Sequence, residues 1–169
     1  IEEIMATWNR MASEIYINEI RLKDGVKEFI ELLKKRNMKL GIATSNSRKL
    51  AKDCLRSNGI LDAFDYICTS DEVPRSKPEP DVYLHAAKMI DTRPKDALVF
   101  EDIPYGILAG KRAGSILLAP KSNAYSPNIA VVIAFSLERP QGFDKIQYSF
   151  HTLLSYSFFL FRSTIFYIG

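Results

Sequence analysis

Cysteine and histidine are scarce in this chain, two of each in 169 residues, and that shortage removes several kinds of chemistry at once. Cys54 and Cys68 stand in no CxxC spacing and have no histidine beside them. Buried, reduced thiols are therefore expected rather than a disulfide or a zinc site. His85 lies in a helical pattern with no partner at a ligand spacing and His151 stands alone, so neither is a metal-ligand candidate. Basic residues exceed acidic ones by a net charge of +3, but they form no basic block and no stripe interleaved with aromatics. Nucleic acid drops out of the expected partners. Reduced thiols make the cytoplasm the expected compartment, and no charged-then-apolar segment is read at the front of the sequence.

What is present is an ordinary globular balance, 47% hydrophobic and 25% charged, enough for one domain with a sizeable core. Residues 1–20 place Ile1, Ile4, Met5, Trp8, Met11, Ala12, Ile15 and Tyr16 at three- and four-residue steps. This predicts a helix with one apolar face, expected to be core, with the lining of a substrate lid as the alternative. Asp24-Gly25 makes a turn, and Val26 to Arg36 repeats the helical spacing with Phe29, Ile30, Leu32 and Leu33 inward, ending at Asn37.

Three strand exits follow. Met38 to Ala43 reads as a strand that empties into Thr44-Ser45-Asn46-Ser47 before a helix closed by Gly59. Hydroxyls and first-turn amides there suit a phosphate, and they equally suit plain N-capping. Asp65 to Thr69 reads as a second strand, emptying into a loop where Pro74, Pro78 and Pro80 prevent helix until Asp81. That loop holds Lys77, which could neutralise a phosphate or stand solvated. The apolar run ending at Phe100 is a third strand, followed by Glu101 and Asp102. Pro104 then opens a helix whose apolar face stops at Gly114. Paired hard oxygens at a strand's carboxyl end suit Mg²⁺, and the alternative is an acidic turn capping the next helix. Ser115 to Ala119 and Ile129 to Ile133 read as further strands. The alternation predicts an α/β, Rossmann-like parallel sheet with flanking helices and right-handed crossovers. It brings hydroxyls, a lysine and two acids to one sheet edge.

GIATSNS, SKPEPDVY and VFEDIPYGILAGKRAG, in that order, resemble the second, third and fourth motifs of the haloacid dehalogenase (HAD) superfamily, in particular its phosphatase and β-phosphoglucomutase-like branch. The resemblance covers about residues 1–133. It implies a Mg²⁺-dependent phosphatase of small phosphate esters such as sugar phosphates, with a small phosphorylated metabolite as partner. Thr44 would hold the transferring phosphoryl group with Ser45 and Asn46 close by, Lys77 would steady phosphate and nucleophile, and Glu101 and Asp102 would be the metal ligands. Residues 1–20 would be the end of a helical cap, 21–139 the HAD-like core, and 140–169 an atypical tail.

The family's mechanism also needs an aspartate in a DxDGT-type motif that attacks phosphorus to give an aspartyl-phosphate, and no such motif occurs here. Asp24 has no apolar strand before it and Asp71 belongs to the loop leading to Lys77, so neither is expected to be the nucleophile. The sequence begins inside what reads as the cap, and the expectation is that the motif lies upstream. Three functional readings stand at this stage: a HAD hydrolase or phosphotransferase, an inactive fragment that at most binds phosphate or Mg²⁺, and a receiver-like binding module. Loss of a central strand would leave its neighbours with orphaned backbone groups at about 1–3 kcal/mol each, against a stability of about 5–15 kcal/mol. A poorly soluble or partly molten chain is therefore expected. The tail is rich in aromatics and carries no acid after Asp144. Arg162 and many Ser/Thr argue against a membrane span.

Overall fold

The computed structural model describes residues 2–101, 103–118, 129–134 and 161–162, with the backbone alone for Met5, Leu118 and the last two stretches. Its elements in chain order are α1 (Glu2–Asn18), β1 (Arg21–Leu22), α2 (Val26–Lys35), β2 (Lys39–Thr44), α3 (Arg48–Ser57), β3 (Tyr66–Thr69), α4 (Asp81–Met89), β4 (Ala97–Phe100), α5 (Pro104–Arg112), β5 (Ile116–Leu118), β6 (Ile129–Ala134) and β7 (Phe161–Arg162). The α/β architecture expected from the sequence is present. β3-β2-β6-β4-β5 form one five-stranded sheet, and β1 pairs with β7 in a separate two-stranded ribbon.

Strand alternation distributes the core to both faces of the sheet. Leu40 and Ile42 of β2, Ile67 of β3 and Leu98 of β4 pack with Val26, Phe29, Ile30 and Leu33 of α2 and with Ala51, Cys54 and Leu55 of α3. Phe29 meets Phe100 edge-on, ring centroids 6.0 Å apart. Ala43, Cys68 and Val99 point the other way, onto Val82, Tyr83 and Ala86 of α4, Ile90 just after it, and Ala109 of α5. α3 closes at Gly59 and α5 at Gly114, both at positive φ, 67° and 75°, where a residue without Cβ avoids the left-handed penalty.

Two expectations about packing change. Leu32 is 37% exposed rather than inward, because it lies to one side of the buried stripe of α2 formed by Val26, Phe29, Ile30 and Leu33. α1 turns most of its apolar face to solvent, with Ile4, Trp8, Met11 and Ile17 all exposed. It docks chiefly on α3, where buried Ser13 donates to Asp53 (2.8 Å). Residues 1–20 thus supply core only toward their carboxyl end, where Ile20 is fully buried and Tyr16 packs partly buried against the same cluster. Ile1 lies outside the described residues.

The sheet is parallel at β2–β3 and β4–β5, but β6 runs antiparallel to both its neighbours. The connection explains the direction. β5 ends level with Phe100 and β6 begins level with Thr44, both at the carboxyl edge of the sheet. A parallel entry would require a crossover to the opposite edge, which takes a dozen or more residues. Only residues 119–128 separate the two strands. β6, an unbroken run of Ile, Ala and Val, suits a central position and pairs along β2 from Lys39 to Thr44 and along β4 from Ala97 to Phe100. The orphaned neighbours anticipated from the sequence are therefore paired, and the physical ground for a partly molten chain is removed. The tail, 140–169, lies outside the described residues except for β7. Among the described residues, no helix is long and apolar enough to cross a membrane.

Candidate functional site

Register brings three strand exits together. Thr44, the last residue of β2, pairs with Thr69, the last of β3, and β4 ends at Phe100 two strands away. The loop after β3 returns Lys77 across this edge, so that Nζ lies 3.4 Å from the Ala43 carbonyl and 2.7 Å from Glu101 Oε2. The Lys77 side chain is 9% exposed and paired, which rules out the solvated alternative. Its peptide with Pro78 is cis.

Glu101 is 4% exposed and heavily coordinated. Its Oε2 accepts from Lys77 and from the Tyr83 hydroxyl (2.6 Å), and its Oε1 accepts from the Ile103 amide (3.0 Å). Burial pushes the carboxyl up, but the Lys77 charge and the donated hydrogen bonds outweigh it and hold Glu101 below the ordinary carboxylate range. Lys77 Nζ also stands 4.9 Å from the centre of the Tyr83 ring, a cation–π distance. Gly106 makes room for this arrangement: a Cβ there would fall 2.0 Å from Glu101 Oε2.

The hydroxyl loop lies beside Lys77. Ser47 is the residue that caps α3, its side chain accepting from the Leu50 amide at 3.3 Å. Capping, one of the two alternatives for this loop, therefore describes Ser47 and leaves the residues before it to other partners. Thr44 is fully buried, and its Oγ1 accepts from the Asn46 amide at 3.0 Å. Ser45 is exposed and Asn46 half-buried. Ser70 donates to the Thr44 carbonyl (3.4 Å), tying the Lys77 loop to this one.

A second carboxylate, Glu72, fastens the same loop. It accepts from the Thr69 amide (2.7 Å) and hydroxyl (2.6 Å), from the Tyr66 hydroxyl (2.6 Å), and pairs with Arg48 in the first turn of α3 (2.5 Å). Burial opposes its charge, yet the Thr69 and Tyr66 hydrogen bonds and the Arg48 charge bring Glu72 down to about 2. His85 lies at the boundary, Nε2 3.4 Å from the Tyr66 oxygen.

Of the six residues singled out from sequence, the structure gathers Thr44, Ser45, Asn46, Lys77 and Glu101 at one sheet edge; Asp102 lies outside the described residues. Tyr83 and Glu72 were not singled out. The available signal was a tyrosine on the buried face of α4, since a buried phenol needs a polar partner. Cys54 and Cys68 are buried and free, with burial pushing both thiols up to about 12. Among the described residues, no three His, Cys, Asp or Glu side chains converge on a cation position. Glu101 has the hard oxygens Mg²⁺ takes, but they are bound by an ammonium, a phenol and an amide. The described residues therefore do not by themselves fit a magnesium site.

Comparison with known proteins identifies relatives of the chain and of its fold. A validoxylamine A 7′-phosphate phosphatase of Streptomyces hygroscopicus subsp. limoneus is 42% identical over 91 residues, 54% of this chain and 43% of that protein. A phosphorylated carbohydrates phosphatase of Thermotoga maritima is 32% identical over 100 residues, 59% and 46% of the two chains. The crystal structure of a β-phosphoglucomutase from Clostridium difficile superposes with a TM-score of 0.62 at 28% identity, covering 72% of this chain and 52% of that one. The chain spans about half the length of the curated relatives it matches. Residues 1–119 match the haloacid dehalogenase-like hydrolase family as a whole, and with the sheet edge just described this places the chain in that family, on its phosphatase and β-phosphoglucomutase-like side.

Proposed function

We propose that this chain carries the phosphoryl-binding side of a phosphatase acting on small organic phosphate esters, sugar phosphates among them. The observation that carries the reading is the Lys77 ammonium, buried between the end of β2 and Glu101. An ammonium has three donors. Glu101 and the Ala43 carbonyl take two, and the third is the one offered to a phosphoryl oxygen. Ser45 and Asn46 meet the ester from the surface, and the buried Thr44 hydroxyl lies beneath them. Glu101 keeps Lys77 charged and fixed, so that its donor is preorganised before substrate arrives.

Attack on phosphorus needs a carboxylate nucleophile, and these 169 residues carry no DxDGT motif to supply it. That favours a second reading for the chain by itself, a domain that binds phosphate without turnover. Magnesium on Glu101 and Asp102 stays an expectation of the family resemblance: the Glu101 oxygens are engaged by Lys77, Tyr83 and Ile103, Asp102 lies outside the described residues, and no step here runs through a metal. The cytoplasm remains the proposed compartment.

Phosphate release from a generic aryl phosphate, with inorganic phosphate binding measured in parallel by calorimetry, tests both readings. The phosphatase reading expects binding together with release that Lys77→Met abolishes. Binding without release selects the binding domain, and absence of both refutes the site.

A further inference from the structure

We infer that Tyr16 of α1 is a positioning residue for the phosphate loop, acting by anchoring the side-chain amide of Asn46. The inference rests on the reading of residues 44–46 as that loop. It starts from a contact across thirty residues of sequence: Asn46 Nδ2 donates to the Tyr16 phenol oxygen at 3.0 Å. The same residue's backbone amide donates to Thr44 Oγ1 at 3.0 Å. One asparagine thus joins α1 to the hydroxyl at the end of β2.

The geometry gives each bond a consequence. A primary amide is planar with two donors on nitrogen and an acceptor on oxygen. Anchoring one N–H on Tyr16 fixes the plane and with it the direction of the second. The backbone amide occupies a lone pair of the Thr44 oxygen, which turns the hydroxyl's proton away from Asn46. The first effect, the one Tyr16 controls, sets a donor direction at a loop that must offer donors to an anion.

Tyr16 is a firm anchor. It packs partly buried against the core face that carries α2 and α3. Burial pushes its phenol above the ordinary value, against the Asn46 hydrogen bond, so the oxygen stays protonated at neutral pH. α1 is held to α3 independently of this phenol. Ser13 donates to Asp53 (2.8 Å) and accepts from Lys49 (2.9 Å), and Lys49 itself reaches Asp53 (2.5 Å). Removing the Tyr16 hydroxyl should therefore release Asn46 without undocking the helix, and removing the Ser13 hydroxyl should weaken the docking of α1 while leaving the Tyr16–Asn46 bond in place.

The test is a calorimetric titration of inorganic phosphate into the wild-type chain and into Tyr16→Phe, Asn46→Ala, the double variant and Ser13→Ala, with the Asn46 side-chain amide followed by NMR. One hydrogen bond is at stake, so Tyr16→Phe should weaken phosphate binding about three- to tenfold and shift the Asn46 side-chain resonances. In the Asn46→Ala background the same substitution should change nothing. Ser13→Ala should lower the melting temperature while leaving phosphate affinity within about twofold. Wild-type affinity in Tyr16→Phe, an equal loss with and without Asn46, or an equal loss in Ser13→Ala would each overturn the inference alone. Failure of the wild-type chain to bind phosphate would overturn the site and the inference with it.

Discussion

Replacing Gly106 with alanine inserts one methyl group into the most crowded part of the site. The new Cβ would lie 2.0 Å from Glu101 Oε2, 2.2 Å from Cδ and 2.6 Å from Cγ. Comfortable contact begins near about 3.5 Å, so the carboxylate must retreat by roughly 1.5 Å. An exposed glutamate would do so at little cost. Glu101 is held by Lys77 at 2.7 Å and Tyr83 at 2.6 Å, and that movement takes its Oε2 away from both. Hydrogen bonds to a charged group contribute about 1.5–3 kcal/mol each, and breaking a buried pair costs about 3–5 kcal/mol. Alanine's better helix propensity returns about 1 kcal/mol, leaving an expected net loss of about 2–4 kcal/mol. Urea denaturation reads this as a midpoint lower by about 1–2 M, for a slope of about 2 kcal/mol/M. In a Glu101→Ala background the obstacle is gone, and Gly106→Ala should be neutral or mildly stabilising. A loss below about 0.5 kcal/mol in the wild-type background, or the same loss in both, would refute the crowding argument.

Because β6 pairs with both β2 and β4, differential scanning calorimetry should give one cooperative transition; a broad, featureless heat signal would contradict that seat. Glu72 stands at about 2 in the folded chain against an ordinary 4.5. Its contribution to stability is therefore complete above about pH 4.5 and is lost as pH falls toward 2. Glu72→Gln should flatten that part of a plot of urea midpoint against pH, and an unchanged acid slope would show that the Arg48–Thr69–Tyr66 cluster adds no linkage. Cys54 and Cys68 should resist a disulfide reagent in the native chain and react together in denaturant, whereas rapid native labelling of either would contradict their burial.

The order of elements and the chemistry at the strand exits were legible in the sequence because both are local. Apolar runs fix strands, Ser47 and Pro104 mark helix starts, and a parallel register carries Thr44, Lys77 and Glu101 to one edge. The direction of β6 was not legible, because an unbroken Ile/Ala/Val run has the same pattern read either way. Its orientation follows from the edge at which β5 ends and the ten-residue length of the connection. The exposure of α1 escaped for a related reason: periodicity reports that a helix has an apolar face, not what covers it. Tyr83 and Glu72 act through partners set by the fold, since Glu101 lies eighteen residues from Tyr83 and Arg48 approaches Glu72 from another helix. Tyr16 belongs with them, its partner being an asparagine thirty residues away.

The central claim is that the end of β2 and the Lys77 loop form one phosphate-binding edge, and backbone amide NMR during titration with inorganic phosphate tests it most directly. The account predicts saturable shifts largest at Ser45 and Asn46, with smaller ones around Lys77 and Ile103. Shifts confined to other parts of the sheet, or none up to high phosphate, would contradict it.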